Sequence, residues 1–122
     1  MQDAALDAQA IVQRLMEAYN RRDVEGYCAC FAPDAVTRLY ETDESLAVGM
    51  DAIRALYSRR FAENPALHIT VQARIALDNV VVDRQRISGF DGGVTIEAIA
   101  LFEIRAGLIG RASFIRRTEP MA

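Results

Sequence analysis

Few groups in this sequence could bind and polarise a carbonyl or an enolate: its single histidine, His68, and then Arg74, Asp83 and Gln85. A guanidinium and an amide can hold an oxyanion, and a carboxylate or imidazole can move the proton. Their spacing brings them together. Asp78-Asn79 reads as a two-residue hairpin turn, so counting back pairs Leu77 with Val80, Ile75 with Val82 and Arg74 with Asp83. Arg84 and Arg86 share the outward face, near Glu97, Glu103 and Arg111, which turns Val81, Asp83, Gln85 and Ile87 inward. On the same count His68, Thr70 and Gln72 lie on the face of the pair. Two alternatives stand beside this set. Arg74 and Asp83 form an ordinary cross-strand bridge with His68 merely at the strand's start, or a one-residue bulge turns that strand over and brings Ile69, Val71, Ala73 and Ile75 inward.

Other chemistries are excluded by residue type. All fourteen Lys-or-Arg cations are arginine, so Schiff-base and pyridoxal-lysine chemistry lack their amine. Cys28 and Cys30 stand at i and i+2 of an expected helix, face different ways and read as buried thiols of a reduced core. With one histidine they are too few for a zinc site, and no Gly-rich phosphate loop occurs, so no metal or cofactor is expected. A net charge of −3 leaves no basic excess for phosphates, which argues against nucleic acid as partner. No apolar run could span a bilayer and no signal-type h-region follows Met1-Gln2-Asp3, so the expected location is the cytoplasm, away from membranes.

The elements that must position these groups change period once. Leu6, Ile11, Val12, Leu15, Met16 and Tyr19 make one stripe of a helix from about Asp3 to Tyr19. Asn20-Arg21-Arg22-Asp23 breaks it, and Asp23 is a good N-cap for a second helix, about Val24 to Phe31, closed by Pro33-Asp34. Ala35 to Glu41 reads as a strand and Leu46 to Gly49 as a brief extended piece. A third helix carries Ile53, Leu56, Tyr57 and Phe61 and stops at Asn64-Pro65. From Ala66 to Glu119 four consecutive antiparallel strands follow, separated by Asp78-Asn79, Phe90-Asp91-Gly92-Gly93 and Arg105-Ala106-Gly107. The 122 residues form one domain. Its class is α+β: a cone of three N-terminal helices on a curved antiparallel sheet, with a pocket inside.

Alternation in the later strands assigns faces. Val94, Ile96, Ala98, Ala100, Phe102 and Ile104 point at the helices, and Thr95, Glu97, Ile99, Leu101, Glu103 and Arg105 point away. Small Ala98 and Ala100 either leave room for a ligand or admit a closely packed helix. Ile99, Leu101 and Ile115 on the outer face suit a homodimer interface, with an ordinary solvated sheet as the alternative.

Ile11-Val12-Gln13-Arg14, Tyr19-Asn20-Arg21-Arg22-Asp23 and Phe31-Ala32-Pro33-Asp34-Ala35-Val36 resemble the opening of the ketosteroid isomerase and SnoaL-like polyketide cyclase group, within the nuclear transport factor 2-like superfamily. Gly49-Met50-Asp51-Ala52-Ile53-Arg54 resembles the group's third-helix signature, and Gly107-Leu108-Ile109 its turn into the last strand. The resemblance implies the cystatin-like form of that cone. Carried over residue by residue, the isomerase's base falls on Leu39, its oxyanion tyrosine on Leu15 and its oxyanion acid on Ala100; only a supporting tyrosine matches, at Tyr57. Leucine and alanine neither accept protons nor donate hydrogen bonds, so steroid isomerisation by that mechanism is not expected.

The expected catalytic set is therefore Asp83, His68 and Arg74, and the expected ligand lining is Leu15, Tyr19, Leu39, Tyr57, Gln85, Ala100, Phe102 and Phe114. Three functions stay open: a cofactor-independent isomerase-, cyclase- or hydratase-type enzyme acting on a small hydrophobic carbonyl compound, a binder without chemistry, or a dimerisation domain. A buried polar pair in an open pocket would favour the first, an open apolar pocket the second, and a cone filled by its own side chains the third.

Overall fold

The apolar stripe of the first segment forms helix α1 (Ala4–Arg21), burying Ile11, Val12, Leu15, Met16 and Tyr19. The computed structural model describes residues 4–119, so Met1-Gln2-Asp3 and the expected helix start at Asp3 lie outside it. Arg22 ends the helix by taking a φ of 53°. Asn20 there does more than break a pattern. Its side chain accepts from the Ile69 N–H at 2.7 Å and donates to the Ile69 carbonyl at 3.0 Å, standing in for a neighbouring strand. Arg22 adds a bond to the Leu67 carbonyl at 2.9 Å. These contacts fix the end of α1, and Tyr19 with it, over the sheet.

Asp23 caps α2 (Val24–Cys28) through the Gly26 N–H. The helix stops three residues short of the expected Phe31, because β1 (Phe31–Leu39) begins there. Pro33 lies within β1 rather than closing a helix. It sits where the ladder to the neighbouring strand is interrupted between Phe31 and Val36, and a missing N–H costs nothing at such a site. The brief extended piece is β2 (Ser45–Val48), antiparallel to β1.

Helix α3 (Met50–Glu63) presents Ile53, Tyr57 and Phe61 to the core and ends at Asn64. The Asn64 amide donates to the Arg60 carbonyl and accepts from the Asp91 N–H, tying the helix end to the loop after β4.

The meander follows as β3 (His68–Leu77), β4 (Val80–Ser88), β5 (Ile96–Arg105) and β6 (Leu108–Thr118), antiparallel throughout and turning where expected. Asp78 and Ala106 take left-handed φ values of 52° and 51° in the tight turns. Gly89 closes β4 with a φ of 84°, and a Cβ there would lie 1.9 Å from the Ala66 carbonyl oxygen, so only glycine fits. Val94 is 43% exposed ahead of β5, not on the inner face as the alternation suggested.

The six strands order as β2-β1-β6-β5-β4-β3. The expectation of a wholly antiparallel sheet needs one correction: β1 runs parallel to β6. The sheet is mixed and open, with β2 and β3 as edges and helices on its inner face. The result is the α+β cone. Its wall buries Val81, Phe102, Ile109, Ala112 and Phe114 against the helices, each large apolar side chain being worth about 1.5–3 kcal/mol.

Candidate functional site

The hairpin count places its central pair correctly: Arg74 stands opposite Asp83. The two form a bidentate bridge, Nε to Oδ1 at 2.6 Å and Nη2 to Oδ2 at 2.8 Å. Asp83 is fully buried and the Arg74 side chain is 16% exposed. Gln13 of α1 accepts a further bond from Arg74 at 3.0 Å. Both carboxylate oxygens and most of the guanidinium are thereby engaged by protein. Such a fork holds α1 to the β3–β4 hairpin, and full burial keeps the Asp83 carboxylate from a substrate proton.

His68 does not join the pair. The ladder shifts between Val71 and Ala73, so Gln72 is a bulge, and the two halves of β3 show opposite alternations. Beyond the bulge Arg74 faces inward, whereas before it Ile69 and Val71 do, and His68, Thr70 and Gln72 are exposed. The turn count and the bulge alternative are each right for half the strand. An extra residue on one strand reverses every face on the far side of it.

The cone is largely filled by its own side chains. Leu15 and Ala100 are fully buried in the packed core, Ala100 registering between Asp83 and Phe114, and Leu39 is only partly buried beside Phe114. None of these three lines open space, and neither do Arg74 and Asp83. What remains is a recess at one end of the cone, about 330 Å³ counted out to its open mouth, with a free cavity of only about 20 Å³. That is room for roughly one water. Of the residues named from the sequence, Tyr19, Tyr57, Gln85, Phe102 and Phe114 line it. Met16, Tyr27, Ile69, Ile87 and Ala98 complete the wall, and Arg60 and Arg116 stand at it as well.

The recess is built on aromatic packing. Tyr27 and Tyr57 lie 4.2 Å apart between ring centroids, and Phe61 meets Tyr19 edge-on at 5.2 Å. The Arg60 guanidinium sits 5.0 Å over Tyr57, and Arg116 sits 4.8 Å over Phe114. Gln85, buried beside Asp83, directs its amide at the Met16 sulfur, 3.7 Å away. The Tyr19 hydroxyl is buried beside the Arg60 guanidinium and finds no acceptor for its proton among the described residues. Burial, reinforced by Tyr57, pushes its phenol far above the ordinary tyrosine value, against the pull of Arg60 and Arg116. Burial and then Tyr57 raise Tyr27 likewise. Both are neutral donors at physiological pH. No carboxylate or imidazole lines the recess.

The model of the SnoaL-like domain family matches residues 12–112. This chain belongs to the SnoaL-like domain family. No curated protein matches its sequence. Among solved structures, this SnoaL-like chain is similar to an uncharacterized cystatin-fold protein from Novosphingobium aromaticivorans, with 21% identity over 89% of this chain and 97% of that one and a TM-score of 0.83. It is similar also to an NTF2-like protein of unknown function from Burkholderia xenovorans, with 15% identity, 99% and 91% coverage and a TM-score of 0.83. A protein of ketosteroid isomerase-like fold from Catenulispora acidiphila, in complex with trimethylamine, shares 16% identity over 86% and 83% with a TM-score of 0.74. At such identities the likeness shows the fold alone.

Elsewhere in the SnoaL-like chain Cys28 and Cys30 are free and buried, and burial raises both thiols above their ordinary value. Among the described residues no group of three His, Cys, Asp or Glu side chains converges as a metal site would require. No helix among them is long and apolar enough to cross a membrane. Arg60 and Arg116 were absent from the sequence-based lining, although β6 carries a usable signal. Ala112, Phe114 and Arg116 alternate inward together, and Arg60 follows Tyr57 by one helical turn.

Proposed function

We propose that this SnoaL-like protein binds a small, largely apolar molecule in the recess at the end of its cone, with the molecule's polar atom accepting hydrogen bonds from the recess wall. One observation carries the reading: the Tyr19 hydroxyl is buried without an acceptor for its proton, in a wall that otherwise offers Arg60, Arg116 and Gln85 as donors. An unsatisfied buried hydroxyl costs about 1–3 kcal/mol, which a bound acceptor would recover. Because the rest of the cone is filled, the ligand is small, or its tail emerges at the mouth. Proton transfer on a carbonyl compound, of isomerase or cyclase type, requires in addition that Asp83 release Arg74, so the geometry favours binding over catalysis.

We propose further that the protein is a homodimer through its outer sheet face. Ile99 and Ile115 register there as neighbours beside Leu101, framed by the Arg84–Glu97 and Arg111–Glu103 pairs. Saturation-transfer NMR with small ketones, amides and acids tests the ligand reading. Binding that Tyr19→Phe weakens supports it. No binding at millimolar concentration, or binding indifferent to Tyr19→Phe, overturns it.

A further inference from the structure

Most arginines of this chain meet a carboxylate, and two of those that do not stand at the recess. Ten of the fourteen arginines meet a carboxylate among the described residues. Four do not. Arg14 is exposed, and Arg22 is spent on the carbonyls of Asn20 and Leu67. The other two, Arg60 and Arg116, are partly buried, and they stand at the same recess, one from α3 and one from β6.

A partly desolvated guanidinium without a counter-ion is costly, and two at one cavity repel each other. Ring faces recover part of that cost. The negative end of the α3 dipole favours Arg60 in its last turn, but only by a fraction of what a full anion supplies. The tyrosine hydroxyl between them is neutral, so it donates and adds no negative charge. The wall is thus complementary to a single planar anion.

Resting on the ligand reading above, we infer that the ligand is a hydrophobic monocarboxylate, its carboxylate received by Arg60, Arg116 and the Tyr19 hydroxyl and its apolar body continuing along the apolar wall toward solvent. Arginine suits this role because its planar fork matches a carboxylate, whereas a neutral amide of equal shape would leave both charges unmet. The same field disfavours a cationic ligand.

Calorimetric or NMR titration with benzoate, benzamide and benzylamine tests the inference, since the three share a ring and differ in charge. The wild-type protein is expected to bind benzoate at least tenfold more tightly than benzamide, and benzylamine not measurably. Arg116→Gln and Arg60→Gln should each weaken benzoate by tenfold or more, as loss of a charged hydrogen bond implies. The same variants should weaken benzamide, which loses a donor but no counter-charge, far less than benzoate, with unchanged circular dichroism confirming the fold. Equal binding of benzoate and benzamide to wild type, with both variants silent, overturns the carboxylate inference while the ligand reading stands. Tight benzoate binding that neither variant weakens places the anion elsewhere and also overturns it. No binding by any of the three probes defeats both.

Discussion

Replacing Asp83 with Ala measures whether the buried fork is a structural clamp. The carboxylate is wholly buried and makes two short bonds to Arg74, whose only other side-chain partner among the described residues is Gln13. Its removal leaves a guanidinium at 16% exposure with one neutral acceptor. Stranding a charge in this way costs about 3–5 kcal/mol. Because β3 is an edge strand, Arg74 has a route to solvent, and the cost belongs near the lower end, about 3 kcal/mol. For a domain of this size that lowers Tm by roughly 10 °C. Urea denaturation followed by circular dichroism gives the number, read from the midpoint at unchanged slope. The double variant Arg74→Met with Asp83→Leu, which removes both charges, should recover most of the loss. A cost below about 1 kcal/mol for Asp83→Ala, typical of an exposed bridge, would refute the reasoning.

Because the bulge at Gln72 turns His68 outward, His68→Ala should change stability by no more than about 0.5 kcal/mol and leave ligand binding intact; a larger effect in either assay would return His68 to the site. Tyr19 and Tyr27 have raised folded-state values, so the stability they contribute is present below the ordinary tyrosine range and is lost as pH rises beyond it. A spectrophotometric titration should therefore find at least two of the four tyrosines ionising only with unfolding; four that ionise freely in the folded protein would contradict the burial. Sedimentation at micromolar concentration should show twice 13.5 kDa, and Leu101→Glu should return the monomer; a wild-type monomer would remove the dimer proposal.

How far the sequence carried depended on whether its signals were local. The three turns and the facing of β4 and β5 were legible, because a period of two and residues tolerant of left-handed φ are written in adjacent positions. Arg74 opposite Asp83 followed from the turn alone. The bulge at Gln72 was not legible, since nothing in Thr70-Val71-Gln72-Ala73 distinguishes an extra residue from a regular one, and His68 was misplaced as a result. The parallel pairing of β1 with β6 leaves no turn to read, because more than half of the chain, from Tyr40 to Gly107, connects them. Ala100 misled differently: it is small because the core closes over it, not because a ligand lies there. Arg60 and Arg116 were missed because their significance lies in lacking carboxylates, which only the completed pairing of the other arginines reveals.

The central claim is that the Tyr19–Arg60–Arg116 recess receives an anionic ligand. The most direct measurement is side-chain NMR of the arginine Nε–H groups during titration with benzoate. The account predicts that the Arg60 and Arg116 signals shift together and saturate with a single affinity, while that of Arg74, locked to Asp83, stays in place. Binding that moves Arg74 and leaves Arg60 and Arg116 unchanged would contradict it.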